Sequence, residues 1–311
     1  MEDYPKGQLE FEQRFSTERT CREYLRQMRW PDGFRCPRCG GSKYWLTRRE
    51  LYHCTGCSLE TSLLAGTILQ GSRKPLQLWF RAMWHVTTQK YGANALGLQR
   101  VLELGSYATA WVWLHKLRRA MVRPGRDRLA GTVEVDEVYI GGEKKPGKPG
   151  RGAEGKALII VAAQEDGRKI GRIRLLRVPD LSGESLTGAV KAMVEPGSTV
   201  HTDGLHSYLA LSQAGYQHTI TRQKESLGND PLPRVHRVAS LLKRWLLGTY
   251  QGAVEPDHLD YYLDEFTFRF NRRTSHSRGK LFYRLVEQAV AIGPVPAKNI
   301  RGGVRNPKHN M

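Results

Sequence analysis

The chain has 311 residues, 40% of them hydrophobic and 25% charged, an ordinary globular composition that excludes wholesale disorder, collagen and coiled coil. No apolar run reaches the roughly 18 residues of a membrane span, and the opening MEDYPKGQLEFEQRF lacks the apolar core of a secretory signal, so the cytoplasm is the expected compartment. Lys and Arg number 49 against 30 Asp and Glu, a formal charge of +19, and this excess favours a polyanionic partner, most commonly nucleic acid.

Five cysteines occur, at Cys21, Cys36, Cys39, Cys54 and Cys57. Four of them form two CxxC pairs, Cys36-Pro-Arg-Cys39 and Cys54-Thr-Gly-Cys57, with 14 residues between. Two short loops can each hold two thiolates at about 2.3 Å from one tetrahedral zinc. The intervening YWLTRRELYH has strand composition, as a β-ribbon between the loops requires. Gly40, Gly41 and Gly56 stand where tight turns are needed. A cytosolic chain keeps thiols reduced, so structural zinc is expected rather than disulfides. Trp30, Phe34, Arg35, Arg38 and Lys43 are available to the ribbon surface, and Cys21 reads as a core thiol.

Residues 73–122 read as helical. Leu76, Trp79, Phe80 and Met83 fall on one face, and two further helices, Leu96 to Leu104 and Tyr107 to Met121, are separated by Gly105-Ser106. A short break between two helices fits a helix-turn-helix. Lys116, Arg118, Arg119 and Arg123, near the end of the second helix, are its expected DNA contacts. The basic, turn-rich stretch 123–131 marks a domain boundary.

From Gly131 the hydrophobic period changes to that of strands. TVEVDEVYIGG, 157–164 and 172–178 are three strands, the last two joined by a hairpin. A helix, strand 198–203, a short helix, another strand and two strong helices follow. The order β-β-β-α-β-α-β-α-α predicts a mixed sheet with helices on its faces. Segment 142–156 carries five Lys/Arg against two Glu and reads as a flexible cationic loop. The last residues, four Lys/Arg and no acid, read as a disordered tail.

Asp136 lies inside the first strand of this region, and Asp203 ends a later one. Carboxylates on neighbouring strands can converge on Mg²⁺ or Mn²⁺, and two such ions about 4 Å apart can clamp an in-line phosphoryl displacement. Glu134 shares a sheet face with Asp136, and like charges there need a counterion. Further along, His236, Ser240, Lys243 and Leu247 share one stripe of a helix whose other face is Val238, Leu241, Leu242 and Trp245. His236 and Lys243 could therefore look back at the sheet.

The chain resembles bacterial insertion-sequence transposases of the DDE type that carry an N-terminal zinc ribbon and an RNase H-like catalytic domain. The resembling segments are CPRCG, CTGC followed by TSLLAGTILQGSRKPLQLWF, VEVDEVYIGG, HTDGLHSY, LLKRWLLGTYQGAV and YLDEFTFRFNRR, which span most of residues 15–285. The resemblance implies Asp136 and Asp203 as the first two acids. It puts His236 at the third position, seven residues before Lys243. Transposases resembling this one carry Glu, Asn or His there. Imidazole is a softer ligand than carboxylate, so Mn²⁺ is expected to serve better than Mg²⁺. Glu225, Asp230 and Glu137 are other acids nearby, but none stands at the family position.

The implied activity is cleavage at the ends of a mobile element and transfer of 3′-hydroxyl strands to target DNA. The implied partners are double-stranded DNA (terminal inverted repeats and target) and at least a second copy of the chain. Lys144, Lys145, Lys148, Arg244, Arg272 and Arg273 would add phosphate contacts. The expected domains are a zinc ribbon (1–72), a helical region (73–128), an RNase H-like α/β domain (129–290) and a basic tail (291–311). A DNA-binding protein or repressor without catalysis would share the zinc and the charge, and an RNA-processing nuclease would share the fold.

Overall fold

The computed structural model describes residues 2–123, 125–141, 156–222, 230–252 and 254–303. Two compact units result, Met1–Arg123 with Ser275–Val304, and Pro124–Thr274. Among the described residues no helix is long and apolar enough to cross a membrane.

The first unit holds α1 (Gln8–Arg14) and α2 (Glu18–Arg29), then an antiparallel ribbon of β1 (Tyr44–Leu46), β2 (Tyr52–Cys54) and β3 (Glu60–Thr61). Helices α3 (Leu76–Thr88), α4 (Ala95–Val101) and α5 (Tyr107–Ala120) follow. The second unit contains β4 (Thr132–Ile140), β5 (Ala157–Asp166), β6 (Lys169–Val178), α6 (Gly183–Met193), β7 (Thr199–Thr202), β8 (Gln217–Ile220), α7 (Pro233–Tyr250) and α8 (Leu259–Asn271). Helices α9 (Arg278–Ala291) and α10 (Ala297–Arg301) belong to the first unit again.

That return corrects the expected domain limits. Residues 129–290 are not one body, and α10 is helical inside the stretch expected to be a disordered tail. The physical reason is an aromatic core that only the distant C-terminal helix completes. Phe282 of α9 is fully buried, with ring centroids 5.4 Å from Phe11, 5.6 Å from Phe15, 5.6 Å from Phe80 and 5.7 Å from Trp84. Edge-on and tilted aromatic contacts of this kind add to the area they bury. Lys280 and Arg284 of the same helix pair with Glu2, the former at 3.0 Å.

Helix α5 also departs from expectation. Its residues from Val112 to Ala120 are buried, and Trp113 stacks on Trp79 of α3 at 3.8 Å. Lys116, Arg118 and Arg119 are only 9%, 2% and 6% exposed. Lys116 Nζ donates to the Ile68 carbonyl at 3.2 Å, and Arg118 Nη2 to that of Ala93 at 3.4 Å. A recognition helix must offer a polar face to a DNA groove, and this helix offers its basic end to protein carbonyls instead. The break between α4 and α5 is present, but the predicted DNA contacts at Lys116, Arg118 and Arg119 are corrected to internal ones.

In the second unit the sheet order is β6-β5-β4-β7-β8. Strands β4, β5 and β6 form an antiparallel meander, while β7 and β8 run parallel to β4. This is the mixed sheet with flanking helices that the sequence predicts, except that the short helix after Asp203 is a 3-10 turn, His206–Leu211. Alternation along β4 assigns the two faces. Val133 and Val135 join α6 and the 3-10 turn in one core. Val138 and Ile140 join α7 and α8 in the other. Glu134 and Asp136 therefore share the face covered by α7.

Replacing Phe282 by Ala is expected to cost about 3–5 kcal/mol in the first unit, because the surrounding rings cannot collapse into the space. Chemical denaturation should show that loss in the transition of the zinc-ribbon unit. An unchanged transition would mean that α9 contributes nothing to its stability.

Candidate metal centres

The ribbon contains two turns of matching design. In the first, Gly40 N–H donates to Cys36 O at 2.9 Å and Cys36 N–H to Gly41 O at 2.9 Å. In the second, Ser58 N–H donates to Cys54 O at 2.9 Å and Cys54 N–H to Leu59 O at 3.0 Å. Each turn needs one left-handed residue, Gly40 at φ 72° and Ser58 at φ 56°. Gly56 lies in the second turn as expected, while the left-handed position there is taken by Ser58.

Four sulfurs converge as a result. Cys36 Sγ lies 3.5 Å from Cys57 Sγ, Cys39 Sγ lies 3.5 Å from Cys54 Sγ, and all four are within 4.8 Å of one another. A tetrahedral zinc with bonds of about 2.3 Å separates its sulfurs by about 3.8 Å, so the cluster fits that ion. The electrostatics agree. Backbone N–H groups, that of Cys39 foremost, draw the Cys36 thiol down to about 6. Cys57 is pushed up to about 12 by burial and the neighbouring sulfurs, despite the N–H of Leu59. Four thiolates cannot share this space without a cation. Trp30 and Phe34, expected on the ribbon surface, are buried against Tyr52, whereas Trp45 is 52% exposed. Cys21 is fully buried, as a core thiol should be.

The second cluster is built by strand register. Parallel pairing of β4 with β7 matches Thr132 to Thr199, Val133 to Val200 and Glu134 to His201. The pairing ends there, and Asp203 follows directly after β7, near enough that its charge acts on Asp136. Asp203 Oδ1 accepts the N–H of Leu205 at 3.0 Å, closing a turn through Gly204. Gly204 has φ 87°, and a Cβ there would meet Ile220 at 2.6 Å, so a side chain would displace the loop that carries Asp203.

Helix α7 brings the third group. His236 Nε2 lies 3.2 Å from Asp136 Oδ2, and Nδ1 lies 2.6 Å from Asp230 Oδ1. What fixes α7 here is Glu134, 3% exposed. Its Oε2 accepts the backbone N–H of Arg234 at 2.7 Å and of Val235 at 3.0 Å, the otherwise unpaired first donors of the helix. Its Oε1 accepts Arg234 Nη1 at 2.8 Å, and Arg234 reaches on to Glu165 at 2.8 Å. The counterion that the sequence reading demanded for Glu134 is thus a helix N-terminus with an arginine.

Burial raises the pKa of Asp136 above the ordinary aspartate value, and the Asp203 charge adds to the rise. The N–H of Glu137 and the imidazole of His236 act the other way. Behind the sheet, Tyr208 is fully buried with its hydroxyl 3.5 Å from Glu137 Oε2. Burial, followed by the charges of Glu137, Asp136 and Asp203, holds that phenol protonated far above its usual range. The donor set of two carboxylates and an imidazole suits a divalent cation with some softness, such as Mn²⁺. Among the described residues, only the four cysteines have metal-type ligand atoms all within 4.8 Å of one another, so Asp136, Asp203 and His236 stand more openly than that.

The basic residues fall into three groups. Lys243 is exposed on α7 two turns beyond His236, Arg244 is exposed beside it, and Arg123 is exposed after α5. Arg272 lies over the Phe268 ring at 4.2 Å. Arg273, expected to contact phosphate, instead donates to the carbonyls of Gly171 (3.2 Å), Phe270 (2.9 Å) and Ile170. Lys144, Lys145 and Lys148 lie outside the described residues. Sequence reasoning undervalued Glu134 and Asp230. The signal for Asp230 was the Asp-Pro step opening a turn just before a helix with proline at its first position.

Known proteins agree with this architecture. Residues 16–60 match the transposase zinc-ribbon domain, and residues 128–271 match the ISXO2-like transposase domain. The chain is 26% identical over 277 residues to "Uncharacterized protein in transposable element ISH50" of Halobacterium salinarum, covering 82% of this chain and 91% of that one. A chain of the simian T-cell lymphotropic virus intasome, solved by cryo-EM in complex with PP2A regulatory subunit B56 gamma, overlays at TM-score 0.33. It is 14% identical, with 61% of this chain and 70% of that chain covered, a likeness too slight to carry inference. A transposase zinc-ribbon domain followed by an ISXO2-like transposase domain is thus what this chain is similar to.

Elemental analysis of purified protein is expected to find about one zinc per chain, lost together with the ribbon fold in a Cys39→Ser variant. A second outcome concerns Asp136. Because folding raises its pKa, its contribution to stability is present below the ordinary aspartate range and lost as pH climbs above it. At neutral pH, Asp136→Asn should raise the melting temperature of protein lacking divalent catalytic metal, because the buried charge is removed. It should also abolish any further rise on adding Mn²⁺, which calorimetry can test.

Proposed function

We propose that this chain is a metal-dependent DNA transposase that cuts the ends of its own element and joins the freed 3′-hydroxyls to target DNA. The observation that carries the reading is the meeting of Asp136 and His236 at 3.2 Å, with the Asp203 charge acting on the same carboxylate. The matches to the transposase zinc-ribbon and ISXO2-like transposase domains support it.

Asp136, Asp203 and His236 would hold divalent cations, which when bound supply charge neutralisation at phosphorus and activation of the attacking oxygen. The chain's own part is positional. Asp136 and Asp203 present a pair of carboxylates at fixed spacing from two parallel strands. His236 closes one side of that pair from the helix above. Lys243, two turns along the same stripe, offers an ammonium to a phosphate of the bound strand. In the first step water attacks phosphorus and the P–O3′ bond breaks, leaving a 3′-hydroxyl on the element. In the second, that hydroxyl attacks a target phosphodiester and displaces the target's own 3′-oxygen. Neither step needs a covalent intermediate with the protein.

The zinc-ribbon unit would recognise the terminal repeats, with the exposed cations supplying sequence-independent contacts. Cutting both ends together would call for at least two copies on DNA. The alternative of a binder without catalysis draws on the same charge and on the missing third acid.

The test is strand cleavage and joining on DNA carrying the inverted repeats that flank the reading frame, with Mg²⁺ or Mn²⁺. Asp136→Asn and Asp203→Asn should each lower the rate at least about a hundredfold, the loss of a few kcal/mol of metal-derived stabilisation. His236→Glu should keep or improve Mg²⁺ activity, while His236→Ala should lose it. Tight DNA binding without metal-dependent cleavage, unaltered by Asp136→Asn, would favour the binder.

A further inference from the structure

Asp230 stands outside the acids of the family pattern, yet it makes a shorter contact to His236 than Asp136 does: 2.6 Å to Nδ1 against 3.2 Å to Nε2. The imidazole is thus strung between two carboxylates. We propose that Asp230 is a positioning residue that fixes the tautomer and orientation of His236, holding the proton on Nδ1 and aiming the Nε2 lone pair at a cation shared with Asp136. The inference rests on His236 being the third ligand and extends that reading to the group behind it.

Three observations carry it. First, Asp230 is itself tied down. The oxygen that meets His236 also accepts the N–H of Leu232 at 3.0 Å, and Pro231 and Pro233 restrict the backbone on both sides. Its carboxylate is thereby held over the first turn of α7. Second, that turn is immobilised independently, because Glu134 binds the N–H groups of Arg234 and Val235 from β4, the strand that bears Asp136. Ring, helix and strand form one connected frame. Third, a neutral imidazole has one N–H and one lone pair, so it can donate to only one of the two acceptor-only carboxylates. The shorter contact, 2.6 Å against 3.2 Å, assigns that N–H to Asp230. Nε2 and Asp136 Oδ2 then face each other as two acceptors, an arrangement that needs a positive charge between them. Metal-bound histidines are commonly held in this way by a carboxylate on the far nitrogen, which also makes the ligand more basic.

Asp230 approaches from the preceding loop, six residues before His236.

The experiment measures Mn²⁺ affinity of the full zinc-loaded chain by electron paramagnetic resonance of the free ion, beside ¹H–¹⁵N spectra of the His236 ring. Asp230→Asn keeps an oxygen for the Leu232 turn but removes the charge. It should weaken Mn²⁺ binding about 10- to 100-fold, with a similar loss in strand cleavage. The ring should shift away from the Nδ1–H tautomer, while the melting temperature stays close to that of the parent. In a His236→Glu background there is no imidazole to orient, so the same substitution should change Mn²⁺ affinity less than about twofold. An equal loss in both backgrounds would overturn the proposal, since Asp230 would then act through its charge or its turn alone. An unaltered tautomer with unaltered affinity would overturn it as well. The parent reading fails by a different result: His236→Ala binding Mn²⁺ and cleaving DNA as the parent chain does.

Discussion

One buried carboxylate sets the geometry of the second unit. Glu134 sits in the middle of a sheet, where an unpaired charge would cost several kcal/mol. It is tolerated because the first turn of α7 arrives with free N–H groups and a favourable dipole, and because Arg234 completes the pairing. The match is reciprocal: the helix end also needs acceptors, and its N-cap residue, Leu232, offers no side-chain one. Two residues along the strand from Glu134 is Asp136, and two residues along the helix from Arg234 is His236. A contact between main elements thereby becomes a contact between functional groups.

The same constraint, like charges assembled around a missing positive one, recurs in both centres. In the ribbon four sulfurs are brought within 4.8 Å by two turns of the same hydrogen-bond pattern. At the sheet, Asp136 on β4 and Asp203 just past β7 act on one another, and Asp136 is raised in pKa by burial and by that neighbour. The folding free energy of the backbone meets the cost of crowding these ligands, and a cation would return it on binding. The sites differ in openness. The cysteines form a closed set of four, suited to a structural ion, whereas the ligand atoms of Asp136, Asp203 and His236 are not all within 4.8 Å of one another.

A net charge of +19 says little about which cations are available to DNA. Arg29 donates to the carbonyls of Ser62, Leu63 and Ala65 and stacks on Trp30. Arg174 is 7% exposed and reaches the carbonyls of Ala192 and Arg126, while burial and three neighbouring arginines lower its pKa to about 10. Arg118 and Arg273 act likewise. Guanidinium suits this use, since its planar fork can satisfy several carbonyls at once. Some of the basic count is therefore internal scaffolding, whereas Lys243 and Arg244 stand exposed on a helix face.

What the sequence determined by itself was everything governed by local spacing. Two CxxC pairs at a strand's separation specify the zinc turns. The alternation in VEVDEVYI specifies a strand with Glu134 and Asp136 on one side, and the 3.6-residue period of VHRVASLLKRWLLG specifies a helix with His236 and Lys243 on one stripe. Only the tertiary structure decided which of these surfaces meet. Periodicity separates a helix's faces without saying what covers them. Hence the buried end of α5, the return of α9 to the N-terminal aromatic core and the bond from Asp230 to His236 lay beyond it. Each of those depends on long-range contacts whose partners are set by the packing of the whole chain and by the need to satisfy every buried charge, which no local window contains.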